Sequence, residues 1–231
     1  MKHKRKHMNY LRKLKNSYKG GISIFELKKV KYKNILNIEN LVIEKHKVTC
    51  IVGESGSGKT TLIKLLNKII SSDSGKIFFN NQELNSINSV ELRRNVVMLP
   101  QVPTIFPGNI KDNLLIGLKF AEKPLVDDDK LRQVLNIINL KKELLDESDS
   151  LSGGEKQRLT LGRVILLDPD VFLLDEPSSS LDEETERVII EKLVSYSKEM
   201  NKTLIMVTHS KKIAQIYSEN IIHIHKGKVL Q

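Results

Sequence analysis

Two short segments carry groups suited to phosphate chemistry. Gly53-Glu54-Ser55-Gly56-Ser57-Gly58-Lys59-Thr60 sets its glycines, lysine and threonine at the spacing of a phosphate-binding loop. The glycines let the backbone curl so that successive N–H groups face the β- and γ-phosphates. A helix starting there adds its partial positive charge. Lys59 brings a point charge to the phosphate oxygens, Thr60 a hydroxyl for Mg²⁺, and Thr61 a donor for the α-phosphate. Hydrolysis also needs a metal ligand and a polarising base. Val171-Phe-Leu-Leu-Asp-Glu176 ends in both. Asp175 would hold Mg²⁺, directly or through water. Glu176 would orient or deprotonate the attacking water.

A third segment, Leu151-Ser-Gly-Gly-Glu-Lys-Gln-Arg158, offers Ser152, Gly153 and Gly154 at a helix start, a second phosphate-binding terminus. One nucleotide cannot occupy both termini of one chain if they lie far apart. A second copy of the chain can supply the other half.

The elements that must position these groups follow from the apolar pattern. Continuous apolar runs at Val48–Val52, Val96–Leu99, Val171–Leu174, Leu204–Val207 and Ile221–Ile224 suit strands buried on both faces of a parallel sheet. Helices fall between them, over Thr60–Ile70 and Glu183–Lys198. The first run precedes the phosphate loop and a helix follows it, which is the required context. Residues 22–47 read as strands, at Ile22–Leu27 and Ile35–Ile43. Lys76–Phe79 and Lys228–Leu230 look like further short strands of the same, mostly antiparallel sheet with one wet face. Residues 109–150 carry no buried-strand run. They read as helices over Ile110–Leu118 and Asp129–Leu145, with N-cap candidates at Asp127 to Asp129, and so as a helical lobe inserted into an α/β core.

The formal charge of +10 looks like a nucleic-acid signal until it is located. Eight of the 38 Lys and Arg lie in residues 1–20, which hold no acid; the other 30 face 28 acidic side chains. No nucleic-acid partner is expected. Met8, Leu11, Leu14 and Tyr18 recur at helical spacing in that basic tail. It reads as a solvated extension, as an amphipathic helix for an anionic membrane surface, or as sequence upstream of a true start at Met8. Gly20-Gly21 closes it. No apolar run reaches the roughly 18 residues of a membrane span, and no signal peptide is visible, so a cytosolic location is expected. The single Cys50 reads as a small core residue and excludes an intrachain disulfide framework.

Together these motifs resemble the ATP-binding domains of ABC transporters, in family order over residues 22–231. The resemblance implies an α/β fold of the P-loop NTPase, ABC ATPase type: a parallel-sheet core, an antiparallel β subdomain and a helical lobe over about residues 102–160, with residues 1–21 as an extension. It implies that Tyr32 stacks on adenine and that Gln101 contacts Mg²⁺ and links the site to the lobe. Ser179-Ser-Leu-Asp182 is then the loop that crosses a dimer interface. His209, 33 residues after Glu176, contacts the γ-phosphate. The implied mechanism is a head-to-tail dimer with two composite sites. Each ATP lies between one chain's Gly53–Thr61 and the partner's Ser152–Gly154, under a separate membrane permease at the inner face of the cell membrane. Three positions depart from the usual pattern: His46 replaces a Gly, Gly162 an Ala and Ser210 an Asp. None removes a phosphate, metal or base contact. Gln101–Leu114 looks like the matching part of a family of iron- or metal-export ATPases. Lipoprotein release, peptide export, phosphate import and a soluble role in iron–sulfur assembly stay open.

Overall fold

The computed structural model describes residues 22–230. The basic tail, with the readings attached to Met8 and to the tail helix, lies outside the described residues.

Two sheets stack around the helix that follows the phosphate loop. The first is antiparallel: β1 (Ser23–Tyr32), β2 (Leu36–Glu44), β4 (Ser74–Phe79) and β5 (Gln82–Glu83), in the order β2-β1-β4-β5. Leu27 faces Leu41 on one side and Ile77 on the other. The apolar pattern of the first strand ran from Ile22 to Leu27. The strand runs on to Tyr32, with Lys28, Lys29 and Lys31 on the wet face and Val30 buried. Lys29 takes a positive φ of 53°, and the pairing to β4 shifts register between Lys28 and Lys31, as at a bulge.

The second sheet holds β3 (Val48–Val52), β6 (Val96–Leu99), β7 (Val171–Asp175), β8 (Thr203–Val207), β9 (Asn220–His225) and β10 (Lys228–Leu230), in the order β10-β9-β3-β8-β7-β6. All its pairs but β9–β10 are parallel. The expectation that Lys228–Leu230 belongs to the antiparallel sheet is therefore corrected. Lys226 and Gly227 both take positive φ, the requirement of a tight two-residue hairpin, and so fold β10 back on β9. β7 and β8 are buried at every residue. β9 is not buried on both faces as its apolar run suggested. Ile222 and Ile224 point in, while Ile221, His223 and His225 stay exposed beside the short edge strand.

Helix α1 (Lys59–Leu66) is packed between the two sheets, with Leu62, Ile63, Leu65 and Leu66 buried. It ends four residues before the expected Ile70, because Lys68 turns to φ 57°. Short α2 (Ser89–Asn95), capped by Asn88, leads into β6 and has no counterpart in the sequence reading. Next come α3 (Ile110–Phe120) and α4 (Asp128–Ile137), the latter capped by Asp127 Oδ1 accepting from the Lys130 N–H. α4 stops well short of the expected Leu145. Asn139 takes a positive φ and the Leu140 N–H returns to the Leu135 carbonyl. Leu140 and Leu144 are buried from irregular chain, so their apolar spacing imitated a longer helix. α5 (Gly153–Leu166), α6 (Glu183–Glu199) and α7 (Lys211–Tyr217) complete the chain. α3, α4 and α5 pack together through Leu114, Val134, Ile138 and Leu161 in one core.

Candidate functional site

The parallel strands aim their carboxyl ends at one edge, where loops carry the polar groups. After β3 the chain enters the phosphate loop. Its crest, Glu54 to Gly56, is exposed, whereas Ser57 and Lys59 are buried. Gly58, at φ 105°, begins α1, and a Cβ there would stand 2.6 Å from Leu36 Cδ2. No side chain caps α1 and no acid lies in its first turn, so its leading N–H groups keep their capacity for an anion. The Lys59 ammonium donates to the carbonyls of Gly53 (2.9 Å) and Glu54 (2.8 Å) across the same cradle. Burial pushes its pKa down, while Glu176 and Asp175 pull it back up. Ser57 Oγ is buried without a partner beside it. The cradle is thus rich in donors and backed by one cation, which fits a polyphosphate.

The end of β7 supplies the acids. Thr60 Oγ1 donates to Asp175 Oδ1 at 3.0 Å, which joins the loop to the strand. Asp175 is almost fully buried, and that burial raises its carboxyl pKa; the Thr60 bond opposes the shift and Glu176 adds to it. A hydroxyl and one carboxylate are hard oxygen donors of the kind Mg²⁺ takes. Among the described residues no three His, Cys, Asp or Glu side chains are placed to hold a metal. An ion at Thr60 and Asp175 would complete its shell with phosphate oxygens and water, and the residues fit that arrangement. Glu176 follows at φ 49°. Its carboxylate lies between two donors, Gln101 Nε2 at 2.8 Å from Oε2 and His209 Nε2 at 2.7 Å from Oε1. Gln101 was expected beside the metal; it enters the site through Glu176. His209 is half exposed, on the loop after β8.

Tyr32 stands half-buried at the end of β1, with the Lys33 ammonium 5.3 Å from its ring centroid. The hairpin that carries it also presses Ile35 and Leu36 against Gly58. Thr61 lies in the first turn of α1, half-buried.

Ser152, Gly153, Gly154 and Asp182 line a different depression, shared with Arg158 and Ser180, in which no phosphate-loop residue takes part. Ser152 caps α5: its Oγ accepts from the Glu155 N–H while the Glu155 carboxylate accepts from the Ser152 N–H. That backbone bond holds the Glu155 carboxyl below its usual range. A Cβ on Gly153 would meet nothing within 4 Å. Asp182 caps α6, accepting from the Thr185 N–H at 2.9 Å, and that bond lowers its pKa. The chain therefore folds one donor-rich loop with acids beside it and a second helix start, closed by a capping box, elsewhere.

The sequence reading missed Gln157, which is 1% exposed on α5 and bonded to the Glu176 carbonyl. Its signal was a lone amide on a helix face that continues as Leu161 and Val164. A buried amide must find partners.

Comparison with known proteins agrees with the geometry. The family model described as ABC transporter matches residues 36–179. A lactococcin transport/processing ATP-binding protein of Lactococcus lactis is 36% identical over 206 residues, covering 86% of this chain and 28% of its own length. A spermidine/putrescine import ATP-binding protein of Borreliella afzelii is 34% identical over 83% of this chain and 55% of its own. A solved ATP-binding cassette, dimeric in a post-hydrolysis state with ADP and phosphate, superimposes with a TM-score of 0.79 at 26% identity, covering 90% of this chain and 97% of that one. The chain spans less than a third of the lactococcin relative's length. Its phosphate loop, its paired acids, its second helix start and these matches converge: the chain belongs to the ABC transporter family, as an ATP-binding domain.

Proposed function

We propose that this chain binds ATP with Mg²⁺, hydrolyses it to ADP and phosphate, and through the resulting cycle of dimerisation drives a separate membrane permease. The observation that carries the reading is the Glu176 carboxylate, held between Gln101 and His209 beside the Thr60–Asp175 pair. In this reading the loop N–H groups and Lys59 bind the β- and γ-phosphates, Thr61 the α-phosphate, and Tyr32 the adenine face. Thr60 and Asp175, with Gln101 at the margin, hold Mg²⁺, which offsets charge on the phosphate oxygens. Glu176 accepts a proton from the attacking water, and His209 stands where it can donate to the γ-phosphate. The helix start at Ser152–Gly154 and the loop to Asp182 serve the nucleotide of a second copy, arranged head to tail. ATP then favours the closed pair because only that state completes both sites.

The same reading divides the chain into an ABC ATPase domain over residues 22–231, with a helical lobe near residues 102–160, and a basic extension over residues 1–21. Permease docking falls to the segment after Gln101. Val102 and Phe120 expose large apolar side chains there, although no described helix is long and apolar enough to cross a membrane. The domain would then sit at the membrane's inner face through its partner. The relatives' names speak of lactococcin transport and processing and of spermidine/putrescine import; they give the metal-export expectation no support.

Glu176→Gln tests the whole scheme. The variant is expected to lose turnover yet bind ATP, and to run as a dimer on size exclusion with ATP and Mg²⁺. A variant that stays monomeric under those conditions refutes the composite site.

A further inference from the structure

Gln157 occupies a place that the proposed cycle leaves unused. It lies on α5, one turn past the Ser152 cap, and is almost fully buried. Its amide nitrogen donates to the Glu176 carbonyl at 2.9 Å, and its amide oxygen accepts from the Ser180 N–H at 3.2 Å. One side chain thus holds both the backbone of the acid and the loop that follows it.

The backbone it holds is not relaxed. Glu176 takes φ 49°, a left-handed conformation that a non-glycine residue keeps only where its surroundings enforce it. The enforcing bonds are the Glu176 N–H to the Val207 carbonyl, the Ser179 N–H to the Glu176 carbonyl, and Gln157. The first two come from the strand edge and from the turn itself. Gln157 is the one that comes from the helix whose first turn bears Ser152–Gly154.

A second contact runs in parallel. A Cβ on Gly154 would stand 2.9 Å from Leu181 Cδ2 and 3.2 Å from the Ser180 carbonyl oxygen, so the first turn of α5 already bears on this loop. Gln101 and His209 hold the carboxylate of Glu176 from the other side. Where α5 sits therefore bears on where the Glu176 carboxylate points.

We propose that Gln157 is a positioning residue that links the two half-sites of one chain: nucleotide gripped at the α5 N-terminus sets, through Gln157, the backbone of Glu176 in the chain's own phosphate site. The inference rests on the ATPase reading above. It assigns Gln157 to the hydrolytic step and not to nucleotide capture, because its partners lie on Glu176 and Ser180 and not on the phosphate loop.

The test uses the full chain. Gln157→Met keeps the length and removes both polar atoms. Gln157→Glu keeps an acceptor for Ser180 and loses the donor to Glu176. ATP affinity is read by calorimetry, turnover by phosphate release, and dimer capture by size exclusion in a Glu176→Gln background. The expected result for both variants is ATP affinity within twofold of wild type, dimer capture unchanged, and kcat at least tenfold lower. Should Gln157→Met fail to fold, Gln157→Glu carries the same readouts. A kcat within twofold of wild type overturns the proposal, as does a parallel loss of affinity, capture and turnover, which marks a merely structural role. A wild-type chain without ATPase activity overturns the underlying reading together with it, and is told apart because the failure appears before any substitution.

Discussion

Arg163 offers the sharpest test of how the lobe is held. Its guanidinium donates three hydrogen bonds, from Nε to the Asn113 carbonyl at 2.9 Å, from one terminal nitrogen to the Thr104 carbonyl at 3.0 Å and from the other to Asn113 Oδ1 at 3.1 Å. Its carbon lies 5.0 Å from the centre of the Phe106 ring. Burial pulls its pKa down to about 10, so it is still a cation at neutral pH. Bonds from a charged donor contribute about 1.5–3 kcal/mol each. The ring contact adds about 0.5–2 kcal/mol. Against this stands the cost of burying the charge, itself several kcal/mol. Arg163→Met removes both sides of that balance; Asn113 Oδ1 keeps the Phe106 N–H, and the exposed Thr104 carbonyl turns to water. We expect a net loss of about 2–4 kcal/mol, the three charge-assisted bonds and the ring contact less the recovered cost of burying the charge. For a chain of this length each kcal/mol lowers the melting midpoint by about 2–4 °C, so the drop should be about 4–16 °C. Nucleotide-free melting by circular dichroism measures it. Arg163→Lys, one point charge for three acceptors, should recover less than half. A loss below about 1 kcal/mol for Arg163→Met, or full recovery by Lys, refutes the account.

Two further predictions concern the phosphate cradle. Lys59→Ala should weaken ATP binding by about two to three decades, the worth of two charge-assisted bonds, and calorimetry that finds unchanged affinity would sink the phosphate-loop assignment. Asp175→Asn should raise the melting midpoint of the nucleotide-free chain while abolishing turnover. The sign follows from the raised carboxyl pKa: in the folded state this group favours stability below its unfolded pKa and loses that contribution as pH rises through the raised value. The substitution should therefore also flatten the wild type's fall in stability over that window, and a variant no more stable than wild type at neutral pH contradicts the argument.

The parts of the site that were legible in the sequence are those whose chemistry is local. Gly53–Thr60 and Asp175-Glu176 each need neighbours in the chain to work, so their spacing survives in one dimension. The strand runs at Val171 and Leu204 were equally plain because burial on both faces leaves no polar interruption, and those at Val48 and Val96 stayed legible despite Thr49 and a half-buried middle at Val97 and Met98. What failed were features set by partners distant in sequence. The apolar pattern ends at Leu27, and the strand's course to Tyr32 is set by β2 and β4 on either side. Leu140 and Leu144 keep a helical period that Asn139 breaks. Gly162, where the family pattern has Ala, is explained only by the lobe's packing: a Cβ there would lie 2.9 Å from both Ile138 Cδ1 and Leu114 Cδ2. His46 takes φ 58°, which explains why a Gly suits that place, and its N–H donates to Thr203 Oγ1. Ser210 caps α7 through Oγ, so it keeps a capping role where the pattern has Asp.

The strand order has a further consequence, for the way the chain comes to be folded. β3, which launches the phosphate loop, pairs with β8 and β9 and with no strand made before them. The back of the loop is tied to the last hairpin as well, where the Gly227 N–H donates to the Ser57 carbonyl and the Asn37 N–H to the Gly227 carbonyl. On a ribosome adding about 5–20 residues per second, Val48–Val52 must wait until Thr203–His225 are made before its neighbours exist. Such long-range pairing carries a high loop-closure cost and folds slowly. Before β8 and β9 are made the phosphate loop has no sheet behind it for ATP to steady. The first nucleotide-competent molecule is one made at least as far as that last hairpin, and until then the apolar strand Val48–Val52 depends on other cover.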